Sequence, residues 1–476
     1  MVRKTDTTLE PSKANTRREA YAITPSRGVR TIELDEEFLG DIRELIKDNA
    51  HISLLNILAD LHGADIADLI ENLSGDERRY IFGLLNPPVA SDVLREVDES
   101  TREQLLSTIS VEEITKIVGE LESDDAADLI AELPKETASV VLHAIRADEA
   151  ANVEKLLRYP EDSAGGIMAA EMLTVKTTDT VKTAIRKVRE FAKQDVQLYN
   201  IYVIDQDRVL LGLLPVADLI LQGPGRRMGK VMRPVISVNA SMDQEEVANL
   251  MEKYDLVSVP VVNERQQIVG RITVDDIVDV IKEEATEDIE RMAGLVGTED
   301  LSSSVLRISR IRLPWLILGF IGGILSAVVL KNFEASLEEI IAVTFFIPII
   351  MAMGGNAGIQ SSTIVVRGLA TGDVRLGLTG KRLAKESGIA LTNGVILSTL
   401  LFIVSYLWLS DFWLGVTLGL ALLVVILSAT MVGAVIPFFL ERVKIDPAIA
   451  TGPFITTTND AVGLLIYFGF IRLLYL

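Results

Sequence analysis

Asp460 carries a side chain that does not suit its surroundings. It lies in Pro453–Phe470, within the last apolar segment of the chain. A carboxylate near the centre of a bilayer is costly, so it is normally paired, or it lines an aqueous path or an ion site. The four residues before it also carry side-chain oxygens: Thr456, Thr457, Thr458 and Asn459. Oxygen ligands around a carboxylate suit a hard cation such as magnesium or calcium. We therefore predict a cation pathway here, in preference to a structural carboxylate bonded to a neighbouring helix.

A second polar motif interrupts an apolar segment at residues 348–363, which run P-I-I-M-A-M-G-G-N-A-G-I-Q-S-S-T. Glycines there allow close helix approach or a local break, and the Asn and Gln side chains offer carbonyl oxygens. We predict that the pore is lined by Gly354, Gly355, Asn356, Gln360, Thr456 and Asn459. The alternative is a face of small residues that only packs. Both interpretations can hold together, because tight packing beside an aqueous path makes a narrow pore.

A third candidate site is the acidic run at residues 275–290. On a helix, one apolar stripe is formed by Val278, Ile281, Ala285, Ile289 and Met292. The opposite face is acidic, with Asp275, Asp276, Asp279, Glu283, Glu284, Glu287, Asp288 and Glu290. Such like charges oppose helix formation unless counterions gather. A solvated face is the usual explanation of a charge run. This run, however, joins a polar domain directly to the first apolar segment, so we favour cation binding.

The composition excludes several classes of function. Of 476 residues, 49% are hydrophobic and 24% are charged, which fits a polar soluble part joined to a membrane part. The net charge of −21 argues against nucleic-acid binding. The chain has no cysteine, and its three histidines do not form an H-E-x-x-H motif. The chain therefore lacks the zinc ligands of a membrane metalloprotease, the enzyme alternative for this kind of chain, and we predict that the protein is not an enzyme. Residues 1–20 are charged and lack an apolar core, so no cleaved signal peptide is expected.

The polar part divides into a helical region and an internal repeat. We expect a disordered tail at residues 1–32 and an all-α superhelix at 33–160, where leucine-rich stretches alternate with turn signals. Residues 164–275 repeat with a period of roughly sixty, the self-similarity typical of duplicated modules. In particular, Y-V-I-D at 202–205 recurs as P-V-V-N at 260–263. The pattern of each copy predicts five elements in the order strand, helix, strand, strand, helix. The copies resemble a tandem pair of cystathionine β-synthase (CBS) domains, α/β modules that often bind nucleotides, which makes ATP a candidate ligand.

Residues 311–476 predict an α-helical transmembrane bundle of about five spans. The apolar runs are 313–330, 340–366, 389–409, 412–440 and 449–475, and each is long enough for a bilayer core of about 30 Å. Basic residues set the orientation. They precede the first span and fill the second and fourth loops, the second with Arg367, Arg375, Lys381, Arg382 and Lys385. We therefore expect a multi-pass protein in the lipid of the cell (inner) membrane, with cytoplasmic N-terminal domains and the C-terminus outside.

The order of helical acidic domain, CBS pair, acidic helix and about five spans resembles the MgtE magnesium transporter/channel family. The specific parts are G-G-N-A-G-I-Q at 354–360, E-E-A-T-E-D-I at 283–289, D-P-A at 446–448 and N-D-A-V-G-L-L-I-Y-F at 459–468. The resemblance implies a homodimer with a magnesium-selective pore at the subunit interface and an ion site around Asp460.

The resemblance also implies regulation. A plug helix, here residues 276–298, would close the pore when intracellular magnesium binds between the cytosolic and membrane domains. The metal ligands implied are Asp446, Asp255, Asp276, Asp279, Glu284, Glu287, Asp288, Asp124 and Asp128.

Two alternatives keep the same architecture. One is a CBS-regulated transporter of another divalent cation, such as cobalt or manganese, because oxygen ligands alone do not fix the metal. The other is a membrane metal sensor without transport. An anion channel is disfavoured, since it would line its path with basic groups or helix N-termini and not with Asp460.

Overall fold

The computed structural model describes residues 34–193, 196–295, 305–334, 340–370, 379–450 and 452–476. The expected tail at 1–32 lies outside the described residues. The chain forms two compact units, Met1–Asp276 and Ile277–Leu476. The predicted multidomain fold class, a helical region followed by a CBS pair and a helical membrane bundle, is confirmed.

The first unit begins with short helices that stack on one another. They are α1 (Glu36–Lys47), α2 (His51–Ala59), α3 (Gly63–Glu71), α4 (Gly75–Phe82), α5 (Pro87–Glu96), α6 (Glu99–Leu106), α7 (Val111–Val118), α8 (Ser123–Glu132), α9 (Lys135–Ala144) and α10 (Ala147–Leu156). Local sequence sets the helix starts. For example, Ser110 and Glu113 form a capping box before α7. Alternate helices pack together, α3 on α5, α5 on α7 and α7 on α9. The result is the expected superhelix.

The repeat forms two matching three-stranded sheets. The strands are β1 (Thr174–Lys176), β2 (Asn200–Ile204), β3 (Leu210–Pro215), β4 (Val238–Asn239), β5 (Ser258–Val262) and β6 (Ile268–Thr273). The helices between them are α11 (Val181–Phe191), α12 (Met228–Val231) and α13 (Gln244–Lys253). In each sheet the middle strand pairs parallel to the first and antiparallel to the last. The Tyr202 hydroxyl and Ser258 Oγ lie 2.9 Å apart, a buried hydrogen bond that joins the two copies.

The acidic run and the apolar segments form long helices. They are α14 (Val274–Met292), α15 (Val305–Asn332), α16 (Ile347–Ala370), α17 (Thr379–Leu409), α18 (Phe412–Arg442) and α19 (Pro453–Phe470). Five stretches of the described chain are long and apolar enough to cross a membrane: Ile308–Asn332, Ile341–Leu369, Gly380–Leu409, Phe412–Arg442 and Phe454–Tyr475. The expected number of spans is confirmed. The bundle core lies between α16, α18 and α19, where Phe346, Leu418, Tyr467 and Phe468 are fully buried.

Three predicted span starts are wrong. The first span starts at Ile308 and not at 313. The third span starts at Gly380 and not at 389, so Lys381, Arg382 and Lys385 lie in the first turns of α17 and not in a loop. The early turns of this helix carry an ion pair between Arg382 and the buried Glu386, at the (i, i+4) spacing that stabilises a helix. The fifth span begins at Phe454 and not at 449, because Pro447–Ala450 forms a separate 3₁₀ turn before α19.

Candidate ion site and regulatory acidic clusters

The Asp460 carboxylate lies in the second turn of α19 and is partly exposed. No side chain or backbone group in the described part of the chain bonds to it. A structural carboxylate in a membrane span would be paired or hydrogen-bonded. Asp460 therefore lacks the bonded partner that the structural alternative requires among the described residues, and its role as an ion ligand stays a prediction.

Asn459, the residue before Asp460, points into the bundle. It is 3% exposed, and a Cβ atom on Gly358 of α16 would overlap its Nδ2 atom. Neither its Oδ1 nor its Nδ2 atom has a hydrogen-bond partner among the described residues. One turn before Asp460, Thr456 is partly exposed and donates weakly to the Gly452 carbonyl at 3.4 Å. A pore-lining role for these two side chains stays a prediction.

The glycine-rich motif of α16 has two faces. Gly354 and Gly358 are buried, and a Cβ on Gly354 would lie 3.0 Å from Val425 of α18. At Gly358 the backbones come closer still, because a Cβ on Gly433 of α18 would overlap the Gly358 carbonyl. Asn356 and Gln360, four residues apart, are exposed. Small residues thus allow tight helix packing on one side, while the amide side chains face away from it. Gly355 is buried, and open space surrounds the position of its missing Cβ.

A buried carboxylate that the sequence analysis missed is Glu386 of α17. It is 2% exposed, accepts a hydrogen bond from Ser361 Oγ at 2.9 Å, and pairs with Arg382 Nη2 at 2.7 Å. Ser361 follows Gln360 directly, so Glu386 ties α17 to the end of the glycine-rich motif. The signal that could have revealed it is the (i, i+4) spacing of opposite charges just before an apolar run.

The first acidic cluster lies where α8 meets the end of β6 and the start of α14. Asp124, Asp125 and Asp276 are close enough to repel one another. Burial raises the pKa of Asp124 well above its usual range, with the charge of Asp276 adding to it. Burial likewise raises the pKa of Asp125 to about 7. Asp276 is held in place by Thr273, whose Oγ1 donates to it at 2.8 Å.

The cluster therefore has unfavourable negative charge that a bound cation would relieve. Asp124 and Asp276 were predicted as regulatory ligands, whereas Asp125 was not. Asp128 lies one turn further along α8 and repels Asp125.

Arg271 of β6 is the buried cation beside this cluster. Only 3% of the surface of Arg271 is exposed. The guanidinium donates to the Glu171 carbonyl at 2.6 Å, to the Gln197 carbonyl at 2.9 Å and to Glu122 Oε2 at 2.8 Å. A planar guanidinium can serve several acceptors at once. Arg271 thereby joins the helical region, through the residue that precedes α8, to both CBS copies.

The second acidic cluster lies in the unit that contains the membrane spans. Arg291, in the last turn of α14, forms ion pairs with Glu287 of the same helix and with Asp446 beyond α18. Burial, reinforced by the charge of Asp446, raises the pKa of Asp288 to about 6. Burial also raises the pKa of Glu287, against the effect of Arg291, and Glu284 adds repulsion to both. Four predicted ligands therefore meet here: Glu284, Glu287, Asp288 and Asp446.

Family models match most of the described domains. The model for a divalent cation transporter, MgtE, matches residues 347–470, and the model for the MgtE intracellular N domain matches 61–162. The CBS domain model matches 164–223 and 228–283.

Whole-chain relatives give the same result. The magnesium transporter MgtE of Thermus thermophilus is 36% identical over 93% of this chain and 99% of its own length. This chain belongs to the MgtE family. The magnesium transporter MgtE of Bacillus subtilis is 38% identical over 67% of this chain and 71% of that protein. A crystal structure of the cytosolic domain of the Mg²⁺ channel MgtE in complex with ATP is 34% identical, with a TM-score of 0.49, and covers 51% of this chain and 99% of that one.

Two further regulatory ligands implied by the MgtE resemblance are Asp255 and Asp279. Asp255 and Asp279 are exposed, and neither side chain bonds to another described residue. Within the described ranges, no three His, Asp or Glu side chains converge as a preformed metal cage.

Proposed function

We propose that this chain carries Mg²⁺ across the cell membrane along a path that passes Asp460. The observation that supports this most is a carboxylate in a membrane span without a bonded partner among the described residues. Such a group is available to a passing hydrated cation, and it is too costly in a bilayer to be kept without a function. The relatives' names identify magnesium as the transported ion among the divalent cations that oxygen ligands admit.

The test is Mg²⁺ flux into proteoliposomes. Asp460→Ala should abolish flux while the protein keeps its melting temperature and its oligomeric state. Glu334→Gln is the matched control, because it removes an exposed carboxylate just beyond the first span. Normal flux through a well-folded Asp460→Ala protein would contradict the proposal. Parallel assays with Co²⁺ and Mn²⁺ separate the alternative substrates, and absence of flux for every ion would favour the sensor.

Regulation by cytoplasmic Mg²⁺ is the second part of the proposal. The two acidic clusters place mutually repelling carboxylates at the start and at the end of α14. Mg²⁺ that bridges such carboxylates favours the conformation that brings them together. The shift in the conformational equilibrium cannot exceed the difference in Mg²⁺ binding free energy between the two conformations. We infer that this is the closed conformation and that α14 is the plug helix. Protease cleavage near α14 should slow as Mg²⁺ rises, and cleavage that ignores Mg²⁺ would contradict the inference.

Assembly and orientation complete the proposal. One chain supplies a single Asp460, so a symmetric homodimer would place two around a shared axis. Mass measurement in detergent tests this, and a monomer would contradict it.

The basic residues support cytoplasmic N-terminal domains and an external C-terminus. ATP binding by the CBS pair stays a prediction, which calorimetry on the full chain can check.

A further inference from the structure

The end of α14 is bonded to the loop that precedes the helix carrying Asp460. Arg291 donates from Nη1 to Asp446 Oδ2, and from Nη2 to Glu287 Oε1 one turn back on its own helix. The forked guanidinium thus spans one carboxylate from each element, a geometry that a lysine ammonium does not reproduce.

Asp446 is held in position for this contact. Its other oxygen, Oδ1, accepts from the Ala448 backbone N–H at 2.8 Å in the turn before α19. The two elements also touch through their backbones. A Cβ atom on Gly452, the residue that precedes the first turn of α19, would lie 3.1 Å from the Met292 carbonyl. The last residues of α14 therefore rest directly against the start of the Asp460 helix.

Charge around this contact is unbalanced. Four carboxylates, those of Glu284, Glu287, Asp288 and Asp446, interact with one another here, and Arg291 is the cation that interacts with three of them. A guanidinium does not lose its proton in proteins, so this positive charge is permanent. Arg291 occupies two of the carboxylates that the proposed regulatory Mg²⁺ would use.

We propose that Arg291 is a tethered cation that competes with Mg²⁺ for Asp446 and Glu287 and fastens α14 to the start of α19 without metal. The proposal rests on the regulatory part of the proposed function. It has two consequences. Removing the guanidinium makes the attachment of α14 depend on metal. Removing it also tightens metal binding, because a competing positive charge leaves the cluster.

Hydrogen exchange of the full-length protein in detergent tests both consequences. The reporters are the amides of Ala293, Gly294 and Leu295, which close the last turn of α14 by bonding to Ile289, Arg291 and Glu290. Exchange at these amides measures local opening of the helix end. Without divalent ions, Arg291→Gln should speed this exchange roughly fivefold, the size expected for a partly exposed ion pair. Adding Mg²⁺ should then slow the exchange of Arg291→Gln again. The Mg²⁺ concentration needed for this should be lower than the concentration at which exchange of the wild-type protein slows further.

Two variants separate the contact from net charge. Lys282→Gln removes one positive charge from the exposed part of the same helix and should leave exchange unchanged. Arg291→Lys keeps the charge but loses the fork, so it should fall between wild type and Arg291→Gln.

Several results would overturn the proposal. Unchanged exchange in metal-free Arg291→Gln would show that no fastening exists. Equal acceleration in Lys282→Gln would show that only net charge matters. Protection of Arg291→Gln that needs more Mg²⁺ than wild type, or ignores Mg²⁺ altogether, would refute competition. Regulation itself is judged separately, by whether Mg²⁺ slows protease cleavage near α14 in the wild-type protein, so a failure of the regulatory proposal is not confused with these results.

Discussion

Asp460 lies in a membrane span with no bonded partner among the described residues, whereas Asp276 and Asp446 lie in crowded groups with hydrogen bonds and cationic neighbours. A site through which an ion passes must bind weakly enough to release it. A site that senses an ion must instead change conformation, which takes several carboxylates whose repulsion the ion relieves. The number of neighbours around each carboxylate therefore separates the two proposed tasks.

The largest expected effect is a loss of Mg²⁺ flux when the carboxylate in the membrane span is neutralised. Asp460→Asn should lower Mg²⁺ flux on the order of a hundredfold, because the amide has no charge with which to attract a hydrated cation. Asp276→Asn and Asp446→Asn should keep flux near wild type in low cytoplasmic Mg²⁺. Proteoliposome flux at fixed protein density measures all three. Equal losses of flux in the three variants would contradict the assignment of transport to Asp460 and of regulation to Asp276 and Asp446.

A smaller effect is expected at the regulatory end. Neutralising Glu284, Glu287 and Asp288 together should leave conduction intact but raise the inhibitory Mg²⁺ concentration about tenfold, since several weak sites supply the coupling. The measurement is flux against cytoplasmic Mg²⁺. The control is a triple neutralisation of acidic residues on α1, Glu36, Glu37 and Asp41, far along the chain from α14. Unaltered inhibition in the α14 variant would leave that helix as a solvated linker.

Packing behind Asp460 gives the third prediction. Gly358→Ala places a methyl group on Asn459 Nδ2, and this overpacking should cost about 1–3 kcal/mol of stability. Gly355→Ala, on the same helix but with no atom within 4 Å of the new methyl, should be neutral or stabilise by roughly 0.5–1 kcal/mol. Thermal unfolding in detergent compares them. Equal melting temperatures would show that the contact at Gly358 is loose.

The smallest effect concerns pH. The raised pKa of Asp125, about 7, means that the folded protein binds this proton more tightly than the unfolded chain does. Stability without divalent ions should therefore rise as pH falls through 7, by roughly 1 kcal/mol between pH 8 and pH 6, and continue to rise towards the unfolded value near 4. Melting of the full chain measures it. Asp125→Asn should flatten the dependence, and a wild-type protein that loses stability over this interval would contradict it.

Periodicity and local chemistry predicted most of the fold. The duplicated strand pattern gave the two sheets, and apolar length gave five spans, because both depend on residues close in sequence. The start of α17 was missed since Arg382 and Glu386 appear as loop charges until their pairing and the bond to Ser361 are known. Asp125 and Arg271 were missed for a similar reason. Their roles arise from contacts between segments far apart in the chain, which no local pattern encodes.

The pair formed by Arg382 and Glu386 has a consequence for how the chain enters the bilayer during synthesis. The two residues are one helical turn apart, so they can meet as soon as α17 coils, before any other helix is present. A charged side chain that enters hydrocarbon alone opposes insertion by about 2.5–3.5 kcal/mol. Two opposite charges that arrive already joined enter as one nearly neutral group. We therefore expect the pair to lower the cost of inserting the third span, with the Ser361 hydroxyl bonding to Glu386 once the second and third spans have come together.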